Sequence, residues 1–177
     1  MAYLTKEIVK NAIEEMQSLE KTLNKVYSDY GLSFRDNTGR RNAILSQAQE
    51  VFLSNALNEN GEISFVDGRT GYPDITVESQ RRELECKLTS GSSGTWSLQT
   101  DYTTISKKIE LDYIYILANK NFDEFAVLFF EGLTKDDFYS PSPGAREKSR
   151  MNKSSAMKKC TVFMGDVTVK NEKMTEQ

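Results

Sequence analysis

The chain of 177 residues contains no histidine. Histidine is the usual general acid or base near neutral pH and a common zinc ligand, so both chemistries are excluded in their usual forms. Cysteine is scarce as well. Cys86 and Cys160 are far apart in sequence, which predicts free thiols in an intracellular, cytoplasmic protein rather than a disulfide framework. An ion site in this chain would depend on oxygen ligands.

The sequence also lacks an apolar run long enough for a membrane helix and an apolar signal segment at its start, which predicts no membrane association. A net charge of −3 argues against a protein that coats nucleic acid nonspecifically. The stretch 146–159 is locally basic on this acidic chain. Its cations include Arg146, Lys148, Arg150 and Lys153, and we interpret it either as a solvated loop or as a segment that contacts phosphates.

Two amphipathic helices are predicted ahead of any strand. Apolar residues recur at steps of three and four over residues 5–30 and again over 44–57, with turn-forming residues at 35–42 between them. The narrow apolar stripe of the first helix is typical of a core contact or a dimer seam. The residues that we expect in such a seam are Leu19, Leu23 and Val26.

From residue 62 onward the pattern changes to strands. Alternating or β-branched runs predict strands at "EISFV" (62–66), "DITVE" (74–78), "ELECKL" (83–88), "DYIYILA" (112–118), "EFAVLFFEG" (124–132) and "CTVFMGDVTV" (160–169). Short helices are expected at "DYTTISKKI", capped by Asp101, and at "LTKDDF". The sequence therefore predicts a single α/β domain over residues 1–177, with a mixed central β-sheet flanked by helices.

Two acids and a lysine converge in the stretch "GYPDITVESQRRELECKL" (71–88). Strand alternation places Glu85 and Lys87 on one face, with Cys86 on the other, and Asp74 reaches the same end of the hairpin. Carboxylate oxygens without histidine suit Mg²⁺, with the main-chain carbonyl of Cys86 as one more ligand and Lys87 beside the attacking water. The pattern indicates phosphodiester hydrolysis. The alternative is a surface hairpin whose charges only pair across strands.

The "PD" at Asp74 followed by "ECK" at 85–87 resembles the signature of the PD-(D/E)xK nuclease superfamily. The order of segments from about residue 34 to 167 is similar to that of type II restriction endonucleases within it. The resemblance implies a restriction-endonuclease-like core, catalysis by Asp74, Glu85 and Lys87, and Mg²⁺ as cofactor. It also implies a homodimer that cuts double-stranded DNA at a short palindromic site, with a companion DNA methyltransferase in the host. Residues 1–60 would form a helical region for dimerisation and approach to DNA, and 61–170 the catalytic sheet core.

Three further elements are candidates for contact with DNA or the site. The loop "GTWSLQTDY" departs from the histidine-rich recognition loop of the similar enzymes, so its base readout must differ. Glutamine suits adenine and aspartate suits the cytosine amino group. Asp36 and Asn37 lie either near DNA or in a plain turn between helices, and Glu50 is either a further acid of the site or a solvated helix residue. The residues expected to read bases are Ser97, Gln99, Thr100 and Asp101.

Two other functions remain open from the sequence. A repair or recombination nuclease of the same superfamily, for instance one that resolves four-way junctions, would carry the same acids and lysine. A DNA-binding module that keeps the fold without catalysis would tolerate replacement of Lys87, whereas a nuclease would not.

Overall fold

A computed structural model of the chain describes residues 2–69, 71–90, 98–141, 148–169 and 172–177. Within these ranges the helices are α1 (Lys6–Asp29), α2 (Thr38–Glu59), α3 (Tyr102–Ser106) and α4 (Lys153–Ala156). The strands are β1 (Ser64–Val66), β2 (Ile75–Val77), β3 (Arg82–Ser90), β4 (Gln99–Asp101), β5 (Leu111–Ala118), β6 (Phe125–Leu133), β7 (Lys148–Arg150), β8 (Cys160–Met164), β9 (Val167–Val169) and β10 (Glu172–Met174).

Six strands form one sheet in the order β1-β2-β3-β5-β6-β8. The β3–β5 pair is parallel and the other neighbouring pairs are antiparallel, which confirms the predicted mixed α/β sheet. The central strand β5 is buried along its whole length. This agrees with its nearly continuous apolar sequence, because a strand covered on both faces cannot alternate with solvent-facing residues.

The long helix α1 follows its sequence pattern closely. The side chain of Thr5 caps its first turn by accepting a hydrogen bond from the Ile8 N–H, and Gly31, at φ +70°, follows its end. Leu19 and Leu23 pack against the core of their own chain, whereas Val26 is 46% exposed. For Leu19 and Leu23 the structure therefore favours the core contact over the dimer seam.

Helix α2 begins earlier than predicted. Asn37 accepts a hydrogen bond of 3.0 Å from the Arg40 N–H, so the helix starts at Thr38 and includes most of the stretch expected to be a turn. A capped start overrides the weak helix propensity of the glycine at position 39. In the described part of the chain, no helix combines the length and apolar character needed to cross a membrane.

The sheet separates two hydrophobic cores. One core joins α1 and α2 to inward-facing strand residues such as Leu84, Cys86 and Ile114, so the helical region and the sheet share their packing. The other core, on the opposite face, includes Tyr113 and Tyr115 and is covered by β4, β7 and the short helices. Alternation along β5 sends successive side chains to the two cores, Ile114 to the first and Tyr113 and Tyr115 to the second.

The last predicted strand is divided in two. Gly165 has φ +69°, and a Cβ atom there would lie 2.5 Å from the Phe125 carbonyl oxygen. Only glycine fits this close approach of two backbones. The chain therefore leaves the main sheet after β8, and β9 pairs with β10 in a separate two-stranded sheet.

Candidate active site at the edge of strand β3

The β2–β3 hairpin determines where Asp74 lies. Its antiparallel register pairs Ile75 with Leu84, and β2 begins at Ile75, so Asp74 precedes the paired residues and lies beside Glu85. Its Oδ2 accepts a hydrogen bond of 2.7 Å from the main-chain N–H of Cys86. This bond fixes the Asp74 carboxylate at the edge of β3, where β2 no longer covers the strand.

Lys87 joins the two acids. Its Nζ lies 2.5 Å from Glu85 Oε1 and 3.9 Å from Asp74 Oδ2. Glu85 and Lys87 are two residues apart on β3 and share a face, while Cys86 between them packs into the helix-side core. The structure therefore shows Asp74, Glu85, Cys86 and Lys87 in the predicted arrangement.

Burial makes this cluster electrostatically unusual. Burial raises the pKa of Glu85 to about 6, with the Asp74 charge adding to it and Lys87 opposing it. Burial likewise raises the pKa of Asp74, against the opposing effect of Lys87. Burial alone would lower the pKa of Lys87, but the Glu85 and Asp74 carboxylates outweigh it and raise this pKa. Perturbed titratable groups that share one site are more frequent at functional sites than elsewhere.

Glu50 reaches this cluster from α2. A cavity of about 560 Å³ opens between α2 and β3 and is lined by Glu50, Asp74 and Lys87, among others. Burial and then the Asp74 charge raise the pKa of Glu50 to about 7. Of the two interpretations of Glu50, the structure therefore favours an acid next to the site over a solvated helix residue.

The donor set suits a hard divalent cation. Oε2 of Glu85 is buried and has no hydrogen-bond partner among the described residues, so this carboxylate oxygen is available to coordinate a cation. The main-chain carbonyl of Cys86 points to the same side of β3 as its N–H, toward Asp74, because the N–H and C=O of one strand residue share a side. No group of three or more Cys, Asp or Glu side chains that could hold a metal occurs within the ranges described above. Two carboxylates, a carbonyl and waters are a typical environment for Mg²⁺.

The cavity extends beyond the acids along the first half of α2. Asn42 donates a hydrogen bond of 2.9 Å to the Ser90 hydroxyl there, and Thr38, Ser46 and Thr89 add polar groups to the lining. The sequence carried no signal for these residues. These polar residues line one cavity only because α2 packs on β3, and the sequence of neither segment indicates that they come together.

Two segments predicted separately to contact DNA form one element. Strands β4 and β7 pair antiparallel, with Gln99 opposite Arg150 and Asp101 opposite Lys148. All four residues are exposed, so they share one face of what we call the β4–β7 ribbon. The ribbon packs beside the active site through β5. The Thr100 hydroxyl lies 2.9 Å from the Tyr113 hydroxyl, and Tyr115 donates a hydrogen bond of 3.0 Å to the Gln99 carbonyl. Tyr113 and Tyr115 are the β5 residues that pair in register with Glu85 and Lys87.

Thr100 belongs to the other face of this ribbon. It is 2% exposed, and its hydroxyl lies 2.9 Å from the Tyr113 hydroxyl in the second core. Its side chain packs inward, so the expectation that Thr100 reads a base is wrong for this structure. Asp101 caps α3 by accepting a hydrogen bond of 2.9 Å from the Thr103 N–H, which confirms the predicted cap.

The remaining predicted contacts are dispersed. Asn37 caps α2, and exposed Asp36 accepts a hydrogen bond of 3.0 Å from Lys120. Lys153 begins α4, and burial lowers its pKa. These three residues do not line the cavity at Asp74. Ser97 and Arg146, also predicted to contact DNA, lie outside the described residues.

Comparison with known proteins assigns no family to the chain. Neither the protein-family models searched nor the curated proteins searched gave a match to the chain.

Proposed function

We propose that the protein is a magnesium-dependent endonuclease that hydrolyses phosphodiester bonds in double-stranded DNA, of the type II restriction class. The proposal includes a restriction-endonuclease-like core within the mixed sheet and a homodimer that reads a short palindromic site. A companion methyltransferase in the host would protect the same site from cleavage.

The observation that carries the proposal is the unpartnered Oε2 of Glu85 next to Asp74 and Lys87. In a plain structural ion pair, a buried carboxylate oxygen would be expected to find a donor, because leaving it without one costs free energy. Glu85 is only 4% exposed. Its Oε1 accepts a hydrogen bond from Lys87, whereas its Oε2 has no hydrogen-bond partner among the described residues. A cation at this oxygen explains both the burial and the missing partner.

The residues of the chain divide the chemistry between them. Asp74, Glu85 and the Cys86 carbonyl would hold Mg²⁺, which when bound supplies positive charge against the charge that develops on the phosphate. The Lys87 ammonium would donate a hydrogen bond to the attacking water and orient it toward phosphorus. Its distance of 3.9 Å from Asp74 Oδ2 leaves it close to both acids without a tight bond to Asp74. Glu50 would adjust the charge of the cavity from the opposite wall.

Double-stranded DNA is the proposed substrate because the β4–β7 ribbon adjoins these acids. A two-stranded ribbon fits into the major groove, where Gln99 and Asp101 can meet base edges. The cations opposite them, Arg150 and Lys148, are suited to the phosphates that flank the groove. A two-fold symmetric dimer would present two such ribbons to a two-fold symmetric sequence.

The test is a digest of linear duplex DNA of known sequence with Mg²⁺, followed by sequencing of the fragment ends. We expect discrete fragments with a common terminal sequence, and no fragments when a chelator removes the metal. A four-way junction assayed in parallel distinguishes the alternatives. Resolution of the junction with intact duplex would indicate a repair or recombination nuclease, and binding of DNA without cleavage of either substrate would indicate an inactive DNA-binding module.

A further inference from the structure

The loop between β1 and β2 holds a cation over an aromatic ring just ahead of Asp74. The Cζ of Arg69 lies 4.0 Å from the centroid of the Tyr72 ring. Its Nε and Nη2 donate hydrogen bonds of 2.8 and 2.6 Å to the carboxylate of Asp67. The Arg69 side chain is nevertheless 69% exposed. The guanidinium is thus fixed in direction while its outer side faces solvent.

A tight turn brings this cation and ring together. The Tyr72 N–H donates a hydrogen bond of 3.2 Å to the Arg69 carbonyl, and Gly71 has φ +82°. A positive φ strongly favours glycine, which has no Cβ atom to clash with the backbone. The main-chain hydrogen bond from Tyr72 to Arg69 therefore holds these two residues next to each other.

The same loop is tied to the catalytic cluster. The Asp67 N–H donates a hydrogen bond of 2.9 Å to the Asp74 carbonyl, which closes the loop at its base. Pro73 restricts the backbone immediately before Asp74 because its ring fixes φ. The base of the loop that carries Arg69 is therefore joined to the main chain of Asp74.

The pairing with Asp67 shapes the loop, and Asp67 also accepts a hydrogen bond of 3.1 Å from the Arg69 main-chain N–H, but the pairing leaves the outer side of the guanidinium open to solvent. Exposed ion pairs and exposed cation–π contacts contribute little to the free energy of unfolding. Asp67 accepts from two of the guanidinium nitrogens, and Nη1 of Arg69 has no hydrogen-bond partner in the described part of the chain. A second cation is close, because a Cβ placed on Gly71 would lie 3.9 Å from Lys107 Nζ. The loop, which is joined to Asp74 at its base, therefore presents the Arg69 guanidinium to solvent, with the exposed Lys107 ammonium beside it.

We propose that Arg69, oriented by Tyr72 and Asp67, binds a backbone phosphate of duplex DNA adjacent to the phosphate cleaved at Asp74, Glu85 and Lys87. This inference rests on the proposed function and adds a DNA-binding residue to it. A guanidinium presents planar, paired donors that match phosphate oxygens, and a fixed guanidinium loses little conformational entropy on binding. Lys107 adds a second charge to the same surface.

The experiment measures binding of a short mixed-sequence duplex without divalent metal, over a series of salt concentrations. For Arg69→Ala we expect about tenfold weaker binding at low salt, in line with loss of one charge-assisted contact. The slope of log K against log salt should become shallower by about 0.9, as for one lost phosphate contact. Thermal unfolding should change little, because the side chain is exposed.

The matched control is Lys10→Ala. Lys10 is an exposed cation paired with Glu14 at 3.8 Å on α1, so its removal changes net charge by the same amount. We expect wild-type affinity and slope for this variant. The inference is overturned if Arg69→Ala binds like the wild type, or if Lys10→Ala shows an equal loss, since the effect would then be one of net charge. Failure of the wild-type protein to bind any duplex would instead overturn the proposed function, and the inference with it.

Discussion

The carboxylate of Asp74 accepts a hydrogen bond of 2.7 Å from the main-chain N–H of Cys86. This contact joins the start of β2 to the middle of β3 at the end of the β2–β3 ladder. It also places Asp74 within 3.9 Å of Lys87 Nζ. The geometry of the candidate site therefore depends on the main chain of β3 as well as on its side chains.

Lys87→Ala should abolish most cleavage while DNA binding is largely retained. Loss of a group that stabilises developing charge typically lowers the rate about 10²-fold or more. Single-turnover cleavage and duplex binding of the same preparation measure the two effects separately. Lys159→Ala is a matched control, because it breaks a lysine–carboxylate pair of 2.8 Å with Asp137 outside the cavity. That control should lose stability but cut DNA normally when folded, and unchanged cleavage by Lys87→Ala would refute the catalytic role.

Glu50→Gln should lower activity and raise stability together. The pKa of Glu50 is about 7 in the folded protein against an ordinary value of 4.5. A raised pKa means that ionisation of Glu50 destabilises the fold, increasingly as the pH rises from 4.5 toward 7 and fully above that. The neutral amide removes this cost at pH 8, while the site loses an acid and should need about tenfold more Mg²⁺. Denaturant unfolding and a Mg²⁺ titration of cleavage are the measurements.

Glu59→Gln is the comparison for that variant, because Glu59 is exposed on the same helix. It should change neither stability nor the Mg²⁺ requirement. If Glu50→Gln behaves in the same way, Glu50 is a solvated helix residue and not part of the site.

Gln99→Ala and Lys148→Ala should have different effects on sequence preference. A side chain that reads a base discriminates by about 1–3 kcal/mol, so Gln99→Ala should relax the preference at one position of the cut site. A phosphate contact carries no base information, so Lys148→Ala should weaken all sites alike and reduce the salt slope. Cleavage of a randomised duplex pool followed by sequencing measures both. An unchanged preference in Gln99→Ala would exclude it as a base reader.

Tyr30→Glu combined with Leu32→Glu should convert a dimer into monomers. Tyr30 and Leu32 are 80% and 61% exposed at the end of α1, where Val26 is also exposed. A carboxylate buried in an apolar contact is costly, so such an interface should not form. Light scattering gives the mass of each protein. Ile109→Glu changes another exposed apolar residue, at 94% exposure, and should leave the dimer intact. A monomeric wild type would contradict the homodimer itself.

Asp137→Asn should destabilise the protein at neutral pH and much less in acid. Asp137 is 2% exposed and accepts hydrogen bonds from Lys159 Nζ and the Thr134 N–H at 2.8 and 2.9 Å. Burial opposes its ionisation, but Lys159 and the other donors outweigh burial and lower its pKa below 3.8. A lowered pKa adds stability that is present above 3.8 and is lost as the pH falls through the folded value.

The measurement for Asp137 is the free energy of unfolding by denaturant for the wild type and for Asp137→Asn, from neutral pH to below pH 3.8. We expect a difference of about 1–3 kcal/mol near neutral pH, which shrinks as the wild-type carboxylate becomes protonated. A difference independent of pH would show that the ionised form of Asp137 contributes nothing specific.

Local patterns in the sequence were sufficient to predict the main helices and strands and the part of the site that lies on the β2–β3 hairpin. The helical period predicted α1, and strand alternation predicted that Glu85 and Lys87 share a face while Cys86 enters the core. The helical and strand periods extend over only a few residues, so they can be read from the local sequence without knowledge of distant contacts. The start of α2 was misplaced because a single cap at Asn37 decides it.

Tertiary packing decided the rest. Glu50 reaches the cluster only because α2 lies across β3, and the polar lining around Asn42 and Ser90 has the same origin. Because β4 pairs with β7, the side chain of Thr100 faces the second core, and Gln99 and Arg150 lie on one exposed face. Such contacts join segments that are remote in the chain, and their energies depend on burial in a shared core. The sequence by itself determined the acids, the lysine and the period of each element, whereas the fold determined which distant side chains meet them.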